Sequence, residues 1–105
     1  MLKEIQNCFK LDKILYTYHA KDEMEKEESG EIKETEVSEA AQKGKIIETY
    51  SEDEPYPSCL IYGRTKRDRP LHIVSAYAAD SNMAIIITVY QPDPDMWIDF
   101  ERRKI

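Results

Sequence analysis

The two halves of the chain follow different hydrophobic periods. In the first half, apolar residues return every three or four positions. Leu2, Ile5, Cys8 and Phe9 of "LKEIQNCF" form such a stripe and predict a short helix over residues 2–9. Tyr16 or Thr17 can cap a helix that begins near His19, with Ala20 and Met24 one turn apart on its buried side and Gly30 ending it. "ETEVSEAAQKG" predicts a further short helix, started at Thr35 or Glu36, with Val37, Ala40 and Ala41 as its stripe and Gly44 as its stop. After Gly44 the period falls to two. "KIIETY" (45–50), "SCLIYGR" (58–64), "RPLHIVSAYA" (69–78) and "NMAIIITVY" (82–90) read as strands separated by turn residues. Pro92 and Pro94 cannot continue a strand, so "PDPDMWIDFERR" predicts a short C-terminal helix from about residue 94. On that helix Met96, Trp97 and Phe100 would pack onto the sheet. The order ααββββα implies one α+β domain over residues 1–105, with N-terminal helices packed on one face of a four-stranded antiparallel meander.

Strand alternation assigns the faces. Cys59, Ile61, Leu71, Ile73, Ile85, Ile87 and Val89 form the more apolar set and are expected beneath the helices. Leu60, Tyr62, Arg64, His72, Val74, Ala76, Thr88 and Tyr90 fall on the other side. If both connecting loops contain an odd number of residues, Tyr62 lies across from His72 and His72 across from Tyr90. A one-residue slip would undo this. With that register, Tyr62, Arg64, His72 and Tyr90 share a half-exposed face.

Charge changes the picture, because it is unevenly spread. Of the 105 residues 41% are hydrophobic and 34% charged, with a formal net charge of −6. Residues 1–54 hold 15 acidic residues against 8 Lys, whereas residues 55–105 hold 6 acidic against 7 basic. All five arginines, at 64, 67, 69, 102 and 103, lie in the second half. An acidic chain is a poor general binder of nucleic acid, which demands phosphate neutralisation. Screening limits the reach of distant acids to about 10 Å, so a local arginine cluster can still form a site. No run of about 18 apolar residues is present, which argues against a membrane-spanning helix. The charged N-terminus does not resemble a secretory signal. Cys8 and Cys59 lack CxxC spacing and read as reduced thiols, so a cytoplasmic location is expected.

The basic turn "GRTKRDRPLHIV" supplies the candidate chemistry. Arg64, Lys66, Arg67 and Arg69 surround it and His72 follows. Arginine grips phosphate oxygens bidentately, tyrosine stacks on bases or donates to oxygen, and histidine moves protons near neutral pH. The same residues also have an ordinary reading. Basic turns discourage edge aggregation, and tyrosine and histidine are common in strands. His19, at a helix start, reads as a cap or core residue. The carboxylates Asp22, Glu23, Glu25, Glu27 and Glu28 read as a solvated face, and no His lies at ligand spacing from them. No metal or other cofactor is expected.

The series "YHA…M" (Tyr18, His19, Ala20, Met24), "V…A…GKIIETY" (Val37 to Tyr50), "PSCLIYGR", "RPLHIV", "IIITVYQPDP" and Trp97 resembles a prokaryotic family known as domain of unknown function 4258. The resemblance runs from about residue 16 to 97. It implies an α+β domain related to RelE-like and motility-quorum-sensing-regulator-like toxins, which are ribonucleases acting on messenger RNA. It also implies a small zinc-finger antitoxin as partner. His19, Arg64, Arg69, His72 and Tyr90 match the family pattern. The family commonly reads "H-A-x-x-R-M", and here Glu23 stands at the arginine position. The expectation that follows is a toxin-like, metal-independent ribonuclease. His72 or a tyrosine would take the 2′-hydroxyl proton, with His19 or Tyr90 protonating the leaving oxygen. Arg64 and Arg69 would stabilise the transition state, and Tyr62, Lys66 and Arg67 would help to hold RNA. The competing expectation is a non-catalytic interaction module on a degenerate toxin fold, favoured by the acidic first half and Glu23.

Overall fold

Thr17 has extended backbone, and its hydroxyl accepts the Ala20 amide at 3.1 Å, so a helix starts there. The computed structural model describes all 105 residues. It contains three nine-residue helices, α1 (Leu2–Lys10), α2 (Tyr18–Lys26) and α3 (Glu34–Gln42). A strand β1 (Ile14–Tyr16) lies between the first two. Strands β2 (Lys45–Tyr50), β3 (Ser58–Arg64), β4 (Pro70–Ala78) and β5 (Met83–Tyr90) follow. Two short strands, β6 (Trp97–Ile98) and β7 (Arg102–Arg103), close the chain.

The α+β class stands, but the expected four-stranded meander with a closing helix does not. The main sheet has five strands in the order β1-β5-β4-β3-β2, and β1 joins β5 in parallel. Local pattern could not reveal β1, because three residues carry no period and its pairing is made only after the chain has crossed the whole sheet. The segment expected as a C-terminal helix is instead an antiparallel hairpin of β6 and β7. Trp97 and Phe100 stand three apart, which suits a helix face. Here a turn at Asp99 and Phe100, with φ of 54° and 61°, brings both rings to the sheet. Met96, expected to pack inward, is 63% exposed.

All three helices cover one face. Ile5, Cys8, Ala20, Met24, Val37, Ala40 and Ala41 pack there against Cys59, Ile61, Leu71, Ile73, Ala84, Ile86 and Val89. Approach is closest at Gly63, where an added Cβ would lie 1.9 Å from the Ala40 carbonyl oxygen, so only glycine lets α3 rest on β3. The inward residues of β5 differ from expectation. Val74 pairs with Thr88 and Ser75 with Ile86, leaving Ile87 as a bulge. That extra residue reverses the alternation, so Ala84 and Ile86 enter the core in place of Ile85 and Ile87. A second bulge in β2, at Ile47, falls between the pairs Ile46–Ile61 and Glu48–Leu60.

The outer edge of β5 is finished by α2 rather than by a strand. Beyond Tyr16, the Thr17 amide donates to the Ile86 carbonyl at 3.0 Å and its hydroxyl donates to the Ile87 carbonyl at 3.3 Å. Glu23 then accepts the Val89 amide at 3.1 Å and Glu27 the Gln91 amide at 2.9 Å. Four residues of helix advance about 6 Å and two of strand about 6.8 Å, so carboxylates one turn apart meet alternate strand amides. Glu23, the residue that departs from the family pattern, therefore serves the edge of the sheet.

Candidate functional site

The register assembles one row on the face away from the helices. Tyr62 pairs with His72 and His72 with Tyr90. The β3–β4 loop leaves Thr65–Arg69 unpaired, an odd number. The β4–β5 loop leaves an even number, Ala79–Asn82, and the bulge at Ile87 restores the parity. Tyr62 and His72 meet edge-on at 5.8 Å between ring centroids, and His72 and Tyr90 at 5.2 Å. Arg64 joins the row through its Nε, which donates to the Tyr62 hydroxyl at 3.0 Å.

This face is covered, contrary to expectation. His72 is 0% exposed, because the C-terminal hairpin lies over it. The Trp97 ring stands perpendicular to the imidazole at 4.4 Å, and Phe100 packs 6.3 Å from Tyr62. His72 Nε2 lies 2.6 Å from the Phe100 carbonyl oxygen and Nδ1 lies 3.1 Å from the Tyr90 hydroxyl. A carbonyl only accepts, so Nε2 carries the proton, and in the neutral ring Nδ1 accepts from Tyr90. Burial is the main influence on His72 and lowers its pKa, against the raising effect of the Phe100 carbonyl and Glu48. The ring is thus a neutral imidazole with both nitrogens engaged. Tyr90 is likewise held protonated, its pKa raised chiefly by burial.

Charged residues that sequence reasoning missed pin the hairpin down. Arg103 donates to both Glu48 carboxylate oxygens, at 2.8 and 3.1 Å, and its guanidinium lies 4.8 Å from the Trp97 ring centroid. Glu48 also accepts the Tyr50 hydroxyl at 2.6 Å. Burial and that bond push the Tyr50 phenol up to about 12. The Arg103 contact is the chief reason that Glu48 titrates below the usual carboxylate range. Lys45 pairs with Glu101, and Arg64 lies 5.6 Å from the Phe100 ring centroid. The bulge at Ile47 is what places Lys45, Glu48 and Tyr50 on this side, so plain alternation along β2 concealed them.

The basic turn splits across the sheet. Arg64 and Arg69 are five residues apart, and odd spacing sends their side chains to opposite faces. Arg64 borders the row and also donates to the Asp68 carbonyl at 3.0 Å. Arg69 turns to the helical side and staples the α2–α3 loop. It donates to Gln91 at 2.7 Å, to the Glu31 and Gly30 carbonyls, to Ser29, and to both Glu36 oxygens at 3.2 and 3.3 Å. Lys66 and Arg67 are exposed at the tip of the turn, where the Lys66 amide donates to Glu39 of α3 at 3.0 Å. His19 is 67% exposed on α2, 3.5 Å from Glu23 and on the β5 edge rather than in the row. Beside the row, Lys43, Lys45, Tyr62, Gly63, Arg64, Thr65 and Asp68 line an open cleft of about 410 Å³.

An α+β domain with three helices on one sheet face and, on the other, a Tyr–His–Tyr row whose histidine is fully buried is the class that fold and site define. Residues 16–91 match the family model described as Domain of unknown function (DUF4258), and the chain belongs to that family. No curated protein and no solved structure matches it. The match ends before the hairpin, so the row lies within the family region and its cover lies outside. No helix is long and apolar enough to cross a membrane.

Proposed function

We propose that this domain, in its closed form, is a non-catalytic interaction module that binds a small partner protein. The observation that carries the reading is the complete burial of His72 with both ring nitrogens hydrogen-bonded. A general base needs a free lone pair within reach of the substrate proton, and this ring offers none. Arg69 is spent on the fold, and His19 stands on the β5 edge. What remains outside is a weakly acidic stretch from α2 into α3, where Glu25, Glu28, Glu31 and Glu34 are exposed and Asp22 is paired with Lys26 at 2.9 Å. Such a face suits a basic partner, and a small antitoxin-type protein is the partner class that the toxin-like resemblance suggests.

A second reading has its own support. Tyr62, His72, Tyr90 and Arg64 form a row suited to phosphodiester chemistry, in which Arg64 and the tyrosines are partly exposed and the hairpin shuts His72 off from solvent. With the hairpin displaced, the row would work as a metal-independent ribonuclease. One experiment separates the two. The full chain and His72→Gln are incubated with a defined messenger RNA in chelator. Equal background cutting, with no RNA retained at moderate salt and a protein partner recovered by pull-down, is the expected result. Cutting by the wild type that disappears in His72→Gln overturns the proposal in favour of the nuclease.

A further inference from the structure

Both edge strands of the main sheet, β1 and β2, are paired on one side only, but β1 has three residues and β2 six. At the β5 end, β1, Thr17, Glu23 and Glu27 occupy the backbone groups from residue 84 to residue 91. At the other end stands β2, six residues long and paired on one side only. Apart from its bonds to β3, its backbone takes part only in the turn where the Asp53 amide donates to the Tyr50 carbonyl at 3.2 Å. No helix, loop or side chain bonds its outer side. Ile46 and Ile47 are half-buried there rather than covered. An exposed edge of this kind is a template for another strand.

The charge along this edge selects the strand. Lys43 and Lys45, the latter also paired with Glu101, stand at its entrance, and Glu52, Asp53 and Glu54 stand just past its exit, all exposed. The edge is therefore basic at one end and acidic at the other. Two copies related by a two-fold axis pair antiparallel, which sets the basic end of each against the acidic end of the other. Parallel pairing would bring like charges together. The bulge at Ile47 bends the strand and leaves Glu48–Tyr50 as its straight portion, so the charged ends contribute a large share of the attraction.

We propose that β2 is a homodimerisation edge: a second copy of this chain adds its own β2 antiparallel, joining the two five-stranded sheets through Lys43/Lys45–Glu52/Glu54 contacts at each end. The proposal does not depend on the reading of His72. It is tested by sedimentation analysis of the full chain at low and high salt, with two charge-reversed variants. Lys43→Glu/Lys45→Glu makes both ends acidic, and Glu52→Lys/Glu54→Lys makes both ends basic. The wild type is expected to sediment as a dimer at low salt and to dissociate as salt rises. Each variant alone is expected to weaken association on the order of a hundredfold, as attractive pairs at both ends become repulsive. Mixed in equal amounts, the two variants are expected to recover a heterodimer. Thermal melts of each variant show that it is folded. A wild type that is monomeric throughout, a dimer indifferent to both reversals, or a mixture of folded variants that stays monomeric overturns the proposal.

Discussion

Trp97→Ala tests whether the hairpin is what keeps His72 neutral and dry. Trp97 is 6% exposed and its ring sits 4.4 Å from the imidazole. A buried tryptophan removes roughly 150–250 Å² from water, worth about 4–6 kcal/mol at about 25 cal/mol per Å², an upper estimate. Against this stands the turn, where Asp99 and Phe100 both hold the left-handed region, with φ of 54° and 61°. Each costs roughly 1–2 kcal/mol, and a two-stranded hairpin of this length has little stability of its own. Removing the indole leaves the strained turn without its main offset. Undocking of residues 94–105 is therefore expected, while the helical core, which Trp97 does not touch, stays folded. The assay is an NMR titration of the His72 imidazole, resolved from His19 by a His19→Gln background. In the wild type, burial holds the His72 pKa below its ordinary 6.5. In Trp97→Ala it should rise toward that value, with loss of the slowly exchanging Nε2 proton. A lowered pKa and a protected proton in the variant would show that the strand environment, and not the hairpin, seals the ring.

Two further outcomes follow from the same geometry. Arg69→Ala should lower stability by about 1–2 kcal/mol, because it removes the guanidinium bonds to Gln91, Glu36 and the Gly30 and Glu31 carbonyls while leaving the exposed carbonyls open to water, with Lys recovering only part; urea unfolding measures this. In acid, His72 and Glu27 act in sequence. The folded-state pKa of His72 is lowered, so its contribution is complete above 6.5 and is lost as pH falls toward the folded value. Burial alone would raise Glu27, but the Gln91 and Ser29 amides, the Ser29 hydroxyl and Arg69 outweigh it and lower the carboxyl. Its contribution is present above about 4.3 and disappears below, through the folded pKa. Denaturant midpoints should therefore decline in two stages on acidification, with the upper stage absent in His72→Gln.

Much of the row was legible beforehand. Tyr62, His72 and Tyr90 share a parity that alternation exposes, and the odd β3–β4 loop pairs Tyr62 with His72, but the β4–β5 loop is even and only the bulge at Ile87 pairs His72 with Tyr90. The same parity separates Arg69 from Arg64, a consequence that grouping them by their common turn obscured. Glu23 stood at the position where the family commonly has arginine, among carboxylates that read as a solvated face. Its structural role became visible only when β5 was seen to lack a neighbour beyond Tyr16.

The periods of three to four and of two are properties of consecutive residues. The sequence alone therefore located α1–α3 and the four long strands, narrowed the start of α2 to Tyr16 or Thr17, and assigned the strand faces of Tyr62 and His72, although it also placed a helix where the C-terminal hairpin lies. The tertiary structure decided what depends on residues far apart along the chain. β1 pairs in parallel with β5 although seventy positions separate the paired residues. The bulges at Ile47 and Ile87 exchange the faces of whole half-strands. The hairpin at the C-terminus closes over an imidazole whose own neighbours gave no sign of it. Local pattern records how a segment prefers to present its side chains, but burial is conferred by whatever packs against them.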